Sequence, residues 1–282
     1  MNADPGIDLP EIWVPDPANK ASRVKVRADE KTRGSAASQW EVEKIIDAGF
    51  ALATIYCGDI EPDFNGGMQY GVRQMFAGKK GLAPDDWGTI GAWAWGLSRA
   101  LDYLQNDSDI NSQKIAVFGF SRLGKAAVWA GGYDQRFAMI ISNESGEGGV
   151  GLLHRNAGET AEHLNTAFPH WFDANFRKYT GKEETLPVDG HFVLSLAAPR
   201  PAYVASALED KSSDPPGEFL STVEASRVYR LLGKEGLPVS EMPPVDKAVM
   251  GDLGYHVRSG KHDVTAFDWD RYIEFMKKHF GQ

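Results

Sequence analysis

Residues 114–125, KIAVFGFSRLGK, restrict the fold more than any other segment of this 282-residue chain. Their first half is a short apolar run of the kind that forms a buried parallel strand. It leads through Gly119-Phe120-Ser121-Arg122-Leu123-Gly124 into the helical pattern AAVWAG. A serine at a tight strand-to-helix turn is lifted above the edge of a sheet, where the N–H groups and positive dipole end of the following helix can stabilise an oxyanion. Such turns usually carry glycine two positions after the serine. Here Arg122 and Leu123 intervene before Gly124, so the pattern also fits a serine that only caps a helix. Arg122 beside the serine and Lys125 four residues on, one turn along the same face, favour the nucleophile reading.

Short apolar runs and helical patterns alternate through the rest of the chain. Residues 50–57, 115–119, 137–142, 202–207 and 255–258 read as strands, bounded by Gly, Asp, Asn or Pro. Ile90, Trp93, Ala94, Leu97, Leu101 and Leu104 keep the spacing of one buried helix face, with Asp85 or Asp86 placed to cap it. Residues 223–232, stopped by Gly233, and residues 267–279 read as two further helices. The alternation specifies an α/β protein with a mostly parallel sheet and right-handed crossovers. Residues 1–38 read as an irregular wrapping segment of a single catalytic domain spanning 1–282. The long irregular stretches 57–84, 144–190 and 209–221 follow strands, so they are expected at the carboxyl ends of the sheet, where such folds bind ligands.

Composition excludes several functions. A formal charge of −9 without a basic cluster argues against nucleic acid or an anionic membrane as partner. A single cysteine, Cys57, excludes an internal disulfide framework and a multi-cysteine metal site. No apolar run approaches the roughly 18 residues of a membrane span, and MNADPGIDLP does not read as a signal peptide. No metal or cofactor is expected, because H-E-x-x-H spacing is absent and Gly146–Gly151 lacks the lysine of a phosphate loop.

A serine nucleophile needs a base, and the base needs an orienting acid. His262, in SGKHDVTAFDW between the last strand and the final helix, satisfies the chain order Ser…acid…His. His256 reads as a structural histidine within its strand and His279 as an exposed one, while His154, His163, His170 and His191 lie where they can line a cleft. Glu144, in SNESGEGG, and Asp210, in SALEDKSSDP, both follow strands and compete as the acid; either also fits a solvated loop carboxylate. Trp93, Trp95 and Trp129 read as core, and Trp171, in FPHWF, as a sugar-stacking surface.

Together, GFSRLGK, SNESGEGG and GKHDVTAFDW resemble the glucuronoyl esterases of carbohydrate esterase family 15, in particular the bacterial branch. The resemblance extends through EKTRGSAASQW, DIEPDF, GAWAWGLSRALDYL, PRPAYVASALED and DPPGEFL. It implies an α/β-hydrolase three-layer sandwich and the ester between 4-O-methyl-glucuronic acid of glucuronoxylan and a lignin alcohol as substrate. It further implies Ser121 as nucleophile, His262 as base, Arg122 as oxyanion stabiliser, Glu144 and Asp210 as alternative acids, and Lys125 and Glu159 as ligands of the sugar hydroxyls. A polymeric substrate implies a secreted or periplasmic enzyme, expected to act as a monomer.

Two departures from the family accompany the resemblance. Ser212 stands where the family often carries a sugar-contacting tryptophan after its seventh strand. The family also has sheet strands for which this chain offers no apolar run before Phe50, one of them between those matching 50–57 and 115–119. The expectation is therefore an N-terminally truncated version. A related ester hydrolase with an altered pocket, or an inactive fragment that retains the site residues, also fits the sequence.

Overall fold

The computed structural model describes residues 11–15, 23–27, 34, 36–78 and 81–281. Four strands run parallel, β3 (Ala116–Phe120), β4 (Met139–Asn143), β5 (Ala202–Ala207) and β7 (Leu253–Arg258), while β6 (Lys247–Met250) closes one edge antiparallel to β7. The order is β3-β4-β5-β7-β6. Two preceding strands, β1 (Glu11–Pro15) and β2 (Arg23–Arg27), pair antiparallel with Glu11 opposite Arg27. The segment read as irregular over 1–38 therefore contains a strand pair, and its remaining expectations lie largely outside the described residues.

Nine helices accompany the strands among the described residues: α1 (Val42–Asp47), α2 (Cys57–Ile60), α3 (Val72–Ala77), α4 (Thr89–Leu104), α5 (Arg122–Tyr133), α6 (Ala161–Ala167), α7 (Gly190–Ser195), α8 (Pro215–Leu231) and α9 (Ala266–Phe280). The sheet separates two apolar layers because successive strand residues point to opposite faces. Ile140, Ala202 and Val204 join Leu101 of α4, Val128 of α5 and Tyr229 of α8 on one face. Met139, Ile141, Tyr203 and Ala205 join Ile45 of α1 with Tyr272 and Phe275 of α9 on the other. This is the α/β class that the alternating pattern specifies, in the α/β-hydrolase sandwich form that the family resemblance implies.

Several local expectations change. Residues 50–56 form no strand and 57–60 form α2, so β3 is an edge of the sheet among the described residues. Apolar character brought the segment against the core, with Phe50 and Leu52 packed on the α9 side, but a strand exists only through hydrogen bonds to a neighbour. Gly88 sits at the N-cap of α4 with no side-chain cap, and Asp86 instead accepts the Ala83 N–H. α8 begins at Pro215, eight residues before its apolar spacing becomes regular, because proline at the first helical position presets the backbone angle. Trp93 is buried, but Trp95 is half-buried and Trp129 is 43% exposed. The buried side of α5 carries Ala126, Ala127 and Ala130, which leaves Trp129 outward. His279 is half-buried with its Nε2 3.0 Å from the Gly251 carbonyl.

The excursion 57–84 is anchored by a buried ion pair. Glu61, fully buried, accepts from Arg73 Nε at 2.9 Å, Arg73 Nη2 at 2.5 Å and Thr89 Oγ1 at 2.7 Å. Its carbonyl accepts the Trp93 indole N–H at 2.9 Å. Arg73→Met leaves that carboxylate buried without its cation and is expected to cost about 3–5 kcal/mol, read as a lower urea midpoint with an unchanged slope.

Candidate active site

Ser121 sits between β3 and α5 with φ 59° and ψ −128°. That left-handed backbone is strained for a residue with a Cβ and is held by its surroundings. The Ser121 N–H donates to the Asn143 carbonyl at 2.9 Å, and the Ser121 carbonyl accepts the Lys125 N–H at 3.2 Å. Gly119 permits the turn: a Cβ there would lie 1.9 Å from the Leu123 carbonyl oxygen. Gly124 lies against β4, where a Cβ would lie 3.0 Å from the Ser145 side chain and 3.2 Å from the Asn143 carbonyl. The glycine one position later than usual thus serves close packing of helix on strand.

His262 lies in the turn after β7, and its ring centroid is 4.5 Å from that of Phe120, the residue before Ser121. Its Nδ1 is 2.6 Å from Asp210 Oδ2 and 3.0 Å from Glu144 Oε2. The two acids proposed as alternatives therefore meet on one ring nitrogen. Burial works to lower the His262 pKa, but the two carboxylates outweigh it and raise the group to about 9. Burial alone would raise Asp210; hydrogen bonds from His262, Ser212 and Ser213 instead hold it far below the usual carboxylate range. Burial pushes Glu144 up to about 7 despite His262 and Arg258 beside it. Asp210 is thus the ionised partner, and Glu144 is the more buried and more readily protonated one. The ligand atoms of Glu144, Asp210 and His262 lie within 4.8 Å of one another, a spacing that could also hold a metal ion; here the carboxylates and the imidazole satisfy one another.

Arg122 carries the flank. Its Nη1 donates to Asp63 Oδ2 at 2.5 Å, and its guanidinium lies 5.0 Å from the Trp171 ring centre. Asp63 Oδ1 also contacts His170 Nε2 at 2.9 Å and accepts the Trp171 indole N–H at 2.8 Å. Burial would raise Asp63, but these three partners hold it down to about 2. Asp63 escaped the sequence reading because an acid in an irregular stretch has no spacing signal, although it lies in the DIEPDF segment of the family resemblance. Of the four cleft histidines, His170 reaches the site by this route.

Trp171 is not the stacking platform expected of it. It is 3% exposed, one ring face lies parallel to Phe168 at 3.8 Å, and Arg122 lies over the ring. Its aromatic surface is consumed in packing, so it orients Arg122 and Asp63. Lys125 is also 3% exposed, with Nζ donating to the Ser145 carbonyl at 2.5 Å and to Glu159 Oε2 at 3.2 Å. Glu147, buried behind this pair, accepts the Glu159 N–H at 3.1 Å, and burial raises its carboxyl well above the usual range. Ser212, in the tryptophan position, donates to Asp210 Oδ1 at 2.5 Å, and its carbonyl accepts the Glu159 N–H at 3.0 Å.

A strained serine at a β-to-α turn, with a histidine packed on the residue before it and two acids on that histidine's Nδ1, fits the α/β-hydrolase fold class. Comparison with known proteins narrows the class. Residues 82–233 match the family described as glucuronyl esterase, fungi. A glucuronoyl esterase structure from Solibacter usitatus superimposes with a TM-score of 0.88 at 50% identity over 99% of this chain and 70% of that one. A promiscuous CE15 esterase from a marine bacterial metagenome gives a TM-score of 0.86 at 49% identity over 98% and 70% of the two chains. Carbohydrate esterase MZ0003, from an unknown prokaryotic organism, is 50% identical over 99% of this chain and 65% of its own length. A 4-O-methyl-glucuronoyl methylesterase 1 of Wolfiporia cocos is 34% identical over 50% of this chain and 37% of its own. The chain belongs to the glucuronyl esterase family. It spans 65% of the length of the first of these curated relatives and 37% of the second.

Proposed function

We propose that the protein is a serine esterase that hydrolyses the ester between 4-O-methyl-D-glucuronic acid of glucuronoxylan and lignin alcohols. The observation that carries the reading is His262, held through Nδ1 by ionised Asp210 and by Glu144, beside the strained Ser121 turn. His262 accepts the Ser121 hydroxyl proton as Oγ bonds to the ester carbonyl carbon. The Arg122 backbone N–H and guanidinium, at the α5 N-terminus, meet the oxyanion. The imidazolium then passes its proton to the departing alcohol oxygen as the C–O bond breaks, leaving an acyl-serine. Water repeats the sequence, with His262 taking its proton and returning one to Ser121. An esterified glucuronate carries no charge, so Lys125 and Glu159 serve its ring hydroxyls as donor and acceptor. A polymeric substrate places the enzyme outside the cytoplasm; no helix among the described residues is long and apolar enough to cross a membrane.

The test is turnover of benzyl glucuronate against a simple acetate ester. Preference for the glucuronate supports the reading, and preference for acetate supports an altered pocket. Ser212 favours that second reading, because an aromatic sugar contact worth about 1 kcal/mol is absent and a cavity of about 240 Å³ lined by Gly158, Lys211, Pro215 and Met242 opens beside it.

The base works only when neutral, so kcat/KM is expected to rise with pH through a midpoint near the His262 value of about 9. After burial, Asp210 is the largest influence on that value and it acts upward. Asp210→Asn should therefore move the midpoint down, toward the ordinary histidine value of about 6.5. An unmoved midpoint in the variant would assign the limb to another group.

A further inference from the structure

Arg258 was not singled out by any motif, yet it organises the turn that carries the base. It is the last residue of β7, is 3% exposed, and lies opposite Ala207 of β5. Its Nε donates to Asp268 Oδ2 at 2.9 Å and its Nη1 to the Ser259 carbonyl at 3.1 Å. Its Nη2 donates to the Lys261 carbonyl at 2.8 Å, the Asp263 carbonyl at 2.6 Å and Glu144 Oε1 at 2.7 Å. The carbonyls of the two residues flanking His262 thus accept from one nitrogen. The backbone closes around the cation through Gly260 at φ +99°, where a Cβ would stand 3.3 Å from Nη1.

Behind the guanidinium, Asp268 contacts His256 Nε2 at 2.8 Å and accepts from the Thr265 N–H at 2.7 Å and hydroxyl at 2.8 Å, the cap of α9. Glu144 completes the enclosure, since its Oε2 accepts the Asp263 N–H at 3.1 Å. One oxygen of Glu144 is therefore committed to Arg258, and the other is shared between the turn and the imidazole.

We infer that Arg258 is the positioning residue of the catalytic histidine, holding the 259–263 turn and Glu144 about its guanidinium so that His262 faces Asp210. A planar fork with five donors can serve five acceptors on one side chain, and an ammonium on a flexible stem cannot. Glu144 then acts on the turn as well as on the ring, while Asp210 makes the shorter contact to Nδ1.

The inference rests on the esterase reading only for its kinetic consequence. The experiment follows the far-downfield Nδ1 proton resonance of His262 by NMR, identified by its loss in His262→Ala, together with kcat and KM on benzyl glucuronate. Arg258→Met is expected to broaden or abolish the resonance and to lower kcat by about 10–10²-fold with KM within about twofold, the pattern of lost orientation. Arg258→Lys, which keeps the charge without the fork, should weaken the resonance and give an intermediate kcat, and it decides the matter if Arg258→Met does not melt cooperatively. A folded variant with the wild-type resonance overturns the inference whatever its turnover. Absence of turnover in the wild-type chain counts against the esterase reading alone, because the resonance still reads the position of His262.

Discussion

Ser121→Ala is expected to reduce kcat/KM on benzyl glucuronate by about 10⁴-fold or more while the thermal midpoint stays within about 2 °C of the parent. The two halves of the expectation have different origins. In the proposed mechanism activity falls because the hydroxyl oxygen is the atom that forms the acyl bond, and neither Arg122 nor His262 replaces a missing nucleophile. Stability stays because the strained φ of 59° is imposed by neighbours, Gly119 against Leu123 and the Ser121 N–H on Asn143, and alanine meets the same backbone constraint as serine. The Ser121 side chain also makes no helix cap, so its removal deprives α5 of nothing. Residual activity within tenfold of the parent, in a folded variant, would remove Ser121 from the chemistry.

The second large effect is expected from the paired acids. Asp210→Asn and Glu144→Gln should each lower kcat by about 10–10²-fold, and the double variant by about 10⁴-fold, the loss typical of a triad without its acid. Either carboxylate alone still accepts the Nδ1 proton and keeps the correct tautomer, at 2.6 Å for Asp210 or 3.0 Å for Glu144. The singles should differ in stability. Glu144→Gln removes charge opposite buried Arg258, whose side chain is 4% exposed, so it should lower the melting temperature more than Asp210→Asn. Kinetics normalised to folded protein, from titration with a serine-directed label, separate the two effects. If one single variant already loses the full 10⁴-fold and the double loses no more, the acids are not redundant.

These acids also show how two loops distant in sequence become one device. Ser212 joins Asp210 to Glu159 through its hydroxyl and its carbonyl, and Glu159 meets Lys125 one helical turn beyond Ser121. A residue that departs from the family pattern in this chain therefore touches both Asp210 and the Lys125–Glu159 pair proposed to hold the sugar. The consequence for substrate preference is local, while Ser121 and His262 are left in place.

Much of the site was legible before any coordinates. Ser121 announces itself because a strand, a glycine, a serine and a helix in succession have few three-dimensional solutions, and His262 because it falls between the last strand and the last helix. Glu144 and Asp210 were legible as a pair of strand-end carboxylates, but not as partners of the same nitrogen. Asp63, Arg258 and Asp268 were overlooked. Arg258 left one trace, a cation ending the otherwise uncharged run LGYHV of a fully buried strand. Trp171 misled, since an aromatic residue in a loop looks the same in sequence whether its faces are open or stacked on Phe168.

The amino-acid order by itself determined the α/β class, the four parallel strands β3, β4, β5 and β7, and the serine turn, because each follows from contacts between near neighbours or from a repeating apolar period. The tertiary structure alone decided that residues 50–56 form no strand, that both acids converge on His262, and that a buried guanidinium gathers the histidine turn around it. Those outcomes depend on pairings across up to 119 positions, from Glu144 to Asp263. No local pattern encodes which distant donor a buried carboxylate will meet; only the packed chain brings the two together, and the cost of leaving either unpaired then keeps them there.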